Sequence, residues 1–266
     1  NEAFGLDASF NLADNYLSQN KLAEAENELE QLLKTHVKEG VIYEKLAEVY
    51  EKKGDQTKAE EYRKKAVYYK NVPDFLSLDY SSENYDLLLF FGTNKHSSGE
   101  KLSKLQAISE AGNPDYTTDV CLMILKLHAN HGNGVEEQAT QLLSQIGKPC
   151  IEKVNTLFGY EVSTCTITNL AEVMASAKEE SSWELMKAYL PTIANMPVTL
   201  TPPDLPAMML LFDEDRGMKE ILLVVKPLLT AKKEPKSSSN PLAELSGFGQ
   251  YVYYYPLEKI DPEKLN

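Results

Sequence analysis

The chain has 266 residues, 27 Lys+Arg against 40 Asp+Glu, a formal net charge of -13 and 42% hydrophobic residues, with 13 Gly and 13 Pro. Apolar content is too high for a disordered chain, and Gly and Pro are too sparse for a fibrous one, so the sequence folds as one large domain or two ordinary ones. Arginine occurs only at Arg63 and Arg216 and the lysines form no cluster, which argues against a nucleic-acid or anionic-membrane surface; no apolar run reaches the roughly 18 residues of a membrane helix.

In chain order, the first seventy residues carry the clearest pattern. Shifting the sequence by 34 positions aligns Leu12 with Leu46, Ala13 with Ala47, Tyr16 with Tyr50 and Asn20 with Gly54. The same shift aligns Ala25 with Ala59, Glu26 with Glu60, Leu32 with Ala66 and Leu33 with Val67. Such a period describes a helix, a tight turn and an antiparallel second helix, used twice. Leu12 and Tyr16, like Leu46 and Tyr50, lie one helical turn apart and are expected to fill the groove against the second helix. The four alanines sit where helices must approach closely. Asn20 and Gly54 tolerate the left-handed backbone that a turn needs. Thr57 with Glu60 forms a capping-box pattern for the second helix of the second unit.

Residues 6 to 71 therefore resemble the tetratricopeptide repeat family. The matching positions are Leu12, Ala13, Tyr16 and Ala25, then Tyr43, Leu46, Ala47, Tyr50, Gly54 and Ala59. Ser9 stands where the family has an aromatic residue, Arg63 stands at a large apolar column, and Tyr62 beside it supplies bulk. In that family the first helix of each unit lines a concave groove. The resemblance implies a groove formed by Phe10, Asp14, Leu17, Glu44, Glu48 and Glu51. Family members that bind acidic tails carry Lys and Asn at several of these columns. Here the columns are acidic or apolar, so the expected partner is a protein or peptide of basic and apolar character docked against Phe10 and Leu17.

After Asn71 the period is lost while the helical character persists. Pro73 to Tyr80 reads as a connector, followed by helices over 82–91, 100–111, 117–130 and 135–146, which form two further hairpins of nearly repeat length. From Pro149 a helix reaches about Phe158, and the β-branched stretch from Tyr160 to Thr168 reads as a loop or short strand. Asn169 with Glu172, and Ser181 with Glu184, look like capping boxes opening the next two helices. Pro191, Pro197, Pro202, Pro203 and Pro206 then fragment the chain before helices at 206–212 and 218–229. Lys232 to Asn240 is a linker by composition, and Gly247 to Pro256, with four tyrosines, reads as an extended tail.

Little in this pattern carries catalysis. Cys121, His128 and His131, with Glu136 or Glu137, can be drawn as a zinc site, but a turn-proximal histidine is ordinarily a helix-end residue. No nucleophile elbow, phosphate loop or calcium loop occurs. The three cysteines, Cys121, Cys150 and Cys165, read as buried or reduced thiols, with a Cys150 to Cys165 bridge as the alternative.

The expected fold is all-α: helical hairpins stacked as a right-handed solenoid like that of the tetratricopeptide repeats, a less regular helical part, and a short tyrosine-rich tail. The expected segments are 1–72 with two repeats, 73–147 with two more hairpins continuing the stack, 148–231 irregular helical, and 232–266 linker and tail. The expected function is a non-enzymatic scaffold or adaptor without cofactor or metal. The alternatives are an exported cell-envelope protein acting in assembly or uptake, and an enzyme with its site in residues 150–266. A start at Asn1 rather than Met implies that a signal peptide, another domain or merely other residues belong upstream; cytoplasm is the first expectation, and export with processing at the N-terminus is the alternative.

Overall fold

The computed structural model describes residues 2–127, 133–160, 163–194 and 204–231. Over these residues the chain consists of thirteen α-helices and one 3-10 turn, with no strand. No helix among them is long and apolar enough to cross a membrane. Two compact units divide the chain, Asn1–Ser97 and Ser98–Asn266. The division falls between two helices that the sequence pattern reads as one hairpin.

Unit 1 contains α1 (Glu2–Ser18), α2 (Leu22–Leu33), α3 (Gly40–Lys52), α4 (Gln56–Asn71) and α5 (Ser82–Gly92), each packing on the next through α1–α2, α2–α3, α3–α4 and α4–α5 contacts. The turns after α1 and α3 are built alike. In the first, the Asn20 N–H donates to the Leu17 carbonyl at 3.1 Å and the Lys21 N–H to the Tyr16 carbonyl at 2.9 Å. In the second, the Gly54 N–H donates to the Glu51 carbonyl at 3.0 Å and the Asp55 N–H to the Tyr50 carbonyl at 2.9 Å. These paired bonds are a Schellman closure, which satisfies otherwise orphaned carbonyls and requires one left-handed residue. That residue is Asn20, with φ 57°, and Gly54, with φ 80°. Donors and acceptors recur at the same 34-residue offset as the sequence match.

Ala13, Leu17, Ala25, Leu29, Leu32, Ile42, Leu46 and Val49 form one buried cluster, so α2 lies between α1 and α3 and shares its apolar face with both. Ala59 is buried as well, as expected of a close-approach position. Leu12 departs from expectation: it is 38% exposed, whereas its equivalent Leu46 is fully buried. Leu46 is covered by α2 of the preceding hairpin, and Leu12 lies on the outer side of the first. The helix start of α4 is also corrected. Its cap is Asp55, whose side chain accepts from the Lys58 N–H, so Thr57 and Glu60 lie inside the helix. The connector after α4 folds over it: Leu76 and Leu78 are buried, the Tyr68 hydroxyl donates to the Leu78 carbonyl at 3.0 Å, and Lys38 donates to the carbonyls of Asp74 and Leu76, each at 3.0 Å.

Unit 2 contains α6 (Ser98–Glu110), α7 (Pro114–Leu127), α8 (Val135–Ile146), the 3-10 turn Lys148–Cys150, α9 (Ile151–Gly159), α10 (Thr164–Ala177), α11 (Glu180–Ala194), α12 (Leu205–Phe212) and α13 (Glu214–Ala231). Its centre is α7, in which every residue from Thr117 to Leu125 is buried against α6, α8, α9 and α10. Asn113 accepts from the Tyr116 N–H at 3.1 Å, so Asn113-Pro114 acts as the start of this helix, with proline on its first turn where a missing N–H costs nothing. The Thr166 hydroxyl donates to the Leu125 carbonyl at 2.9 Å, tying α10 to α7.

Three expectations in this unit are overturned. Thr164–Thr168 is the first turn of α10, capped by Ser163, whose hydroxyl accepts from the Thr166 N–H; neither strand nor loop forms there and Asn169 is interior. The helix α11 begins at Glu180, and Ser181 and Ser182 instead share hydrogen bonds of 3.1 and 2.8 Å with the Asn155 side chain on α9. Pro191 lies within the last turn of α11, where its ring removes one i→i−4 hydrogen bond without ending the helix. In α13 the constraint is space: a Cβ at Gly217 would stand 2.8 Å from the Met209 carbonyl oxygen, so glycine lets α13 close onto α12. The expected tail, the linker from Lys232, most of the proline-rich loop and the turn holding His128 and His131 lie outside the described residues.

Candidate functional site

The six residues expected to line the groove divide into two kinds. Leu17 is only 4% exposed and belongs to the unit 1 core, so it is corrected from a docking residue to a packing residue; Phe10 packs half-buried against the same core. The helical spacing that brings Phe10, Asp14 and Leu17 near one side of α1 turns Leu17 inward toward α2. The four acids are at the surface, and each is ion-paired. Lys45 holds Asp14 at 2.7 Å and lies 3.7 Å from Glu48; Lys52 meets Glu48 at 3.7 Å. Arg63 meets Glu51 at 2.7 Å, and Lys70 pairs with Glu44.

The Lys45 contact sets the first helices of the two hairpins side by side, because Asp14 is on α1 and Lys45 and Glu48 are on α3. The hydrogen bond to Asp14 raises the Lys45 ammonium above its usual value, opposed by partial burial and aided by the charges of Asp14 and Glu48. The exposed α1/α3 face is therefore a row of alternating paired charges. Sequence reasoning overlooked Lys45. The signal was present: Glu48 follows it by three residues, and the 34-residue offset places Asp14 in the column of Glu48.

A second polar set joins α2 to α3. The Glu26 carboxylate accepts from the Tyr50 hydroxyl and the Lys53 ammonium, and Lys58 lies 3.3 Å from the same hydroxyl. Burial alone would raise the Glu26 carboxyl; the hydrogen bonds from Lys53 and Tyr50 and the charges of Lys53 and Lys58 bring it below its ordinary value. Beyond Tyr50 the aromatic contacts continue. Tyr62 stacks on Tyr50 at 5.3 Å and on Tyr43 at 6.3 Å, Tyr69 stacks on Tyr43 at 5.2 Å, and Tyr80 and Tyr85 extend the row. Burial pushes the Tyr43 hydroxyl up to about 12, with help from Tyr69 and Tyr62.

An open pocket of about 400 Å³ lies at the outer end of the α1–α2 hairpin, lined by Tyr16, Ala23, Glu24, Asn27 and Glu28. All five residues belong to α1 and α2, and nothing in the sequence pattern alone marks the hollow between them.

Cys121 and Cys150 offer poor nucleophiles. All three are thiols, and burial raises Cys121 strongly and Cys150 to about 11. Cys150 donates to the carbonyls of Leu143 at 3.4 Å and Gly147 at 3.1 Å. A thiol held protonated attacks weakly and ligates metal weakly. Among the described residues no three His, Cys, Asp or Glu side chains converge on a point where a metal ion would sit. Comparison of the chain with protein-family models, curated proteins and solved structures gives no match.

Proposed function

We propose that unit 1 carries two repeats of the tetratricopeptide kind and that the chain is a non-enzymatic adaptor holding a partner segment along the α1/α3 face. The observation that carries this reading is the recurrence, one 34-residue period apart, of the same two-bond turn around Asn20 and Gly54. Hairpins that repeat in this way leave their first helices adjacent, and stacked hairpins of that type present such rows as extended recognition surfaces. The ion pair between Asp14 and Lys45 supports the adjacency.

The pairing of the acids revises the partner. A purely basic segment would have to displace Lys45 and Lys52 before it reached Asp14 and Glu48. A segment of mixed charge exchanges pairs with both signs and keeps every charge partnered, which favours specificity over raw affinity.

Site-specific photo-crosslinking tests the reading. A photoreactive residue at Asn11 or Lys52, both exposed on this face, is expected to capture the same protein from an extract of the native cell. The same residue at Lys64 on α4 is expected not to capture it. Equal capture from all three positions, or adducts from none, would overturn the proposal.

A further inference from the structure

The 34-residue equivalence allows one hairpin to be read against the other. On the second, the outer side of α3 is covered by α2: Ile42, Leu46 and Val49 join Ala25, Leu29 and Leu32 in the core, and Glu26 reaches across to Tyr50, Lys53 and Lys58. On the first, the positions equivalent to Ile42, Leu46 and Val49 are Ala8, Leu12 and Asn15, all exposed. Where the second hairpin receives the Glu26 carboxylate, the first has the open pocket at Tyr16.

The polar edge is similar in shape and inverted in charge between the two hairpins. Tyr16 stands for Tyr50. Glu24 stands for Lys58, Gln19 for Lys53 and Glu28 for Tyr62. Two ammonium groups around a tyrosine select a carboxylate; two carboxylates around a tyrosine select a cation. The Tyr16 ring already has an ammonium near its face, that of Lys21 at 5.9 Å from the ring centroid.

We propose that this end of the α1–α2 hairpin docks an amphipathic helix of another protein, which presents a lysine or arginine to Tyr16, Glu24 and Glu28 at the position that Glu26 occupies on the next hairpin. Charge also disfavours a second copy of this chain stacked head to tail. Such a copy would bring α4, one period after α2, and its Glu60 stands at the column of Glu26. Glu60 would meet Glu24, a like-charge contact. Because Ala8 is smaller than Ile42 and Asn15 is polar where Val49 is not, the surface buries less apolar area than the α2–α3 contact, and the complex is transient. The inference rests on the repeat equivalence and is independent of the α1/α3 face, so either can fail alone.

The probe is a fluorescently labelled peptide with the sequence of residues 21–35, the helix that fills this place on the second hairpin. It is made once with Glu26 and once as Glu26→Lys, and titrated into the full chain by anisotropy. The Glu26→Lys peptide is expected to bind about tenfold tighter than the Glu26 peptide, and the exposed variant Glu24→Lys is expected to reverse that preference. Equal affinities, no binding by either peptide, or a preference that Glu24→Lys leaves unchanged would each overturn the proposal. Crosslinking from Asn11 and Lys52 in the Glu24→Lys chain keeps its wild-type pattern in any of these cases.

Discussion

Between α1 and α5 the apolar cluster around Leu29, Leu46 and Val49 is bordered by polar links between helices: Lys45 bridges Asp14 and Glu48, Glu26 takes Tyr50 and Lys53, and a row of tyrosines runs from Tyr50 to Tyr85. Between α6 and α13 the centre is a helix buried all round, and polar links such as Thr166 to Leu125 decorate it. The first arrangement fixes register, since each hairpin must meet its neighbour at one offset for the charges to pair. The second relies mainly on apolar burial, which is non-directional, with the buried Asp119 of α7 paired to Lys153 at 2.6 Å. Stability should thus respond to different agents in the two units.

The largest effect is expected in the α7 core. Leu122→Ala removes a fully buried side chain and should cost about 2–5 kcal/mol in urea unfolding. Trp183, the sole tryptophan, is buried in the same unit and provides the fluorescence signal. A cost below ~1 kcal/mol would remove α7 from the centre of unit 2.

Alkaline pH should do to unit 1 what a cavity does to unit 2. Burial raises Tyr50, Tyr62, Tyr80 and Tyr85, and takes Tyr43 to about 12. A phenol with a raised folded value ionises more readily when unfolded, so its stabilisation is complete below the ordinary value of about 10 and fades as pH rises towards 12. Chemical denaturation at pH 8 and pH 11, followed by tyrosine circular dichroism, should show unit 1 weakened at the higher pH. Equal midpoints would contradict the stacked, buried row.

Smaller changes address single joints. Tyr50→Phe deletes the hydroxyl shared by Glu26 and Lys58 while keeping the stacked ring, and a loss of roughly 1–2 kcal/mol is expected in thermal unfolding. No loss would mean that Lys53 alone satisfies Glu26. Gly54→Ala forces a side chain into a left-handed turn and should cost roughly 1 kcal/mol, whereas Asn20→Gly at the equivalent turn should gain a few tenths. If both substitutions moved stability in the same direction, the two turns would not be equivalent.

What is legible in the sequence follows the same division. A period is visible because a stacked hairpin imposes the same steric demand twice, so Ala13 and Ala47 are both buried and Asn20 and Gly54 both take positive φ. Exposure is not periodic: α2 covers Leu46, and no described helix covers Leu12 in the same way. The apparent helix starts at Thr57, Asn169 and Ser181 mislead because the same pattern of a hydroxyl or amide followed three residues later by glutamate also occurs inside helices. Asp55 and Ser163 perform the capping, upstream of two of those positions. The four acids expected in a groove lie on α1 and α3, but Asp14, Glu51 and Glu44 take their partners Lys45, Arg63 and Lys70 from another helix, and a linear reading of one helix face does not bring those together.

The equivalence of the two hairpins underlies both the adaptor reading and the end-surface inference, and solution NMR tests it directly. The account predicts positive φ at both Asn20 and Gly54 from three-bond couplings and nuclear Overhauser effects, with comparable exchange protection of the Lys21 and Asp55 amides that close the turns. A negative φ at Asn20, or a Lys21 amide exchanging freely while that of Asp55 is protected, would contradict it.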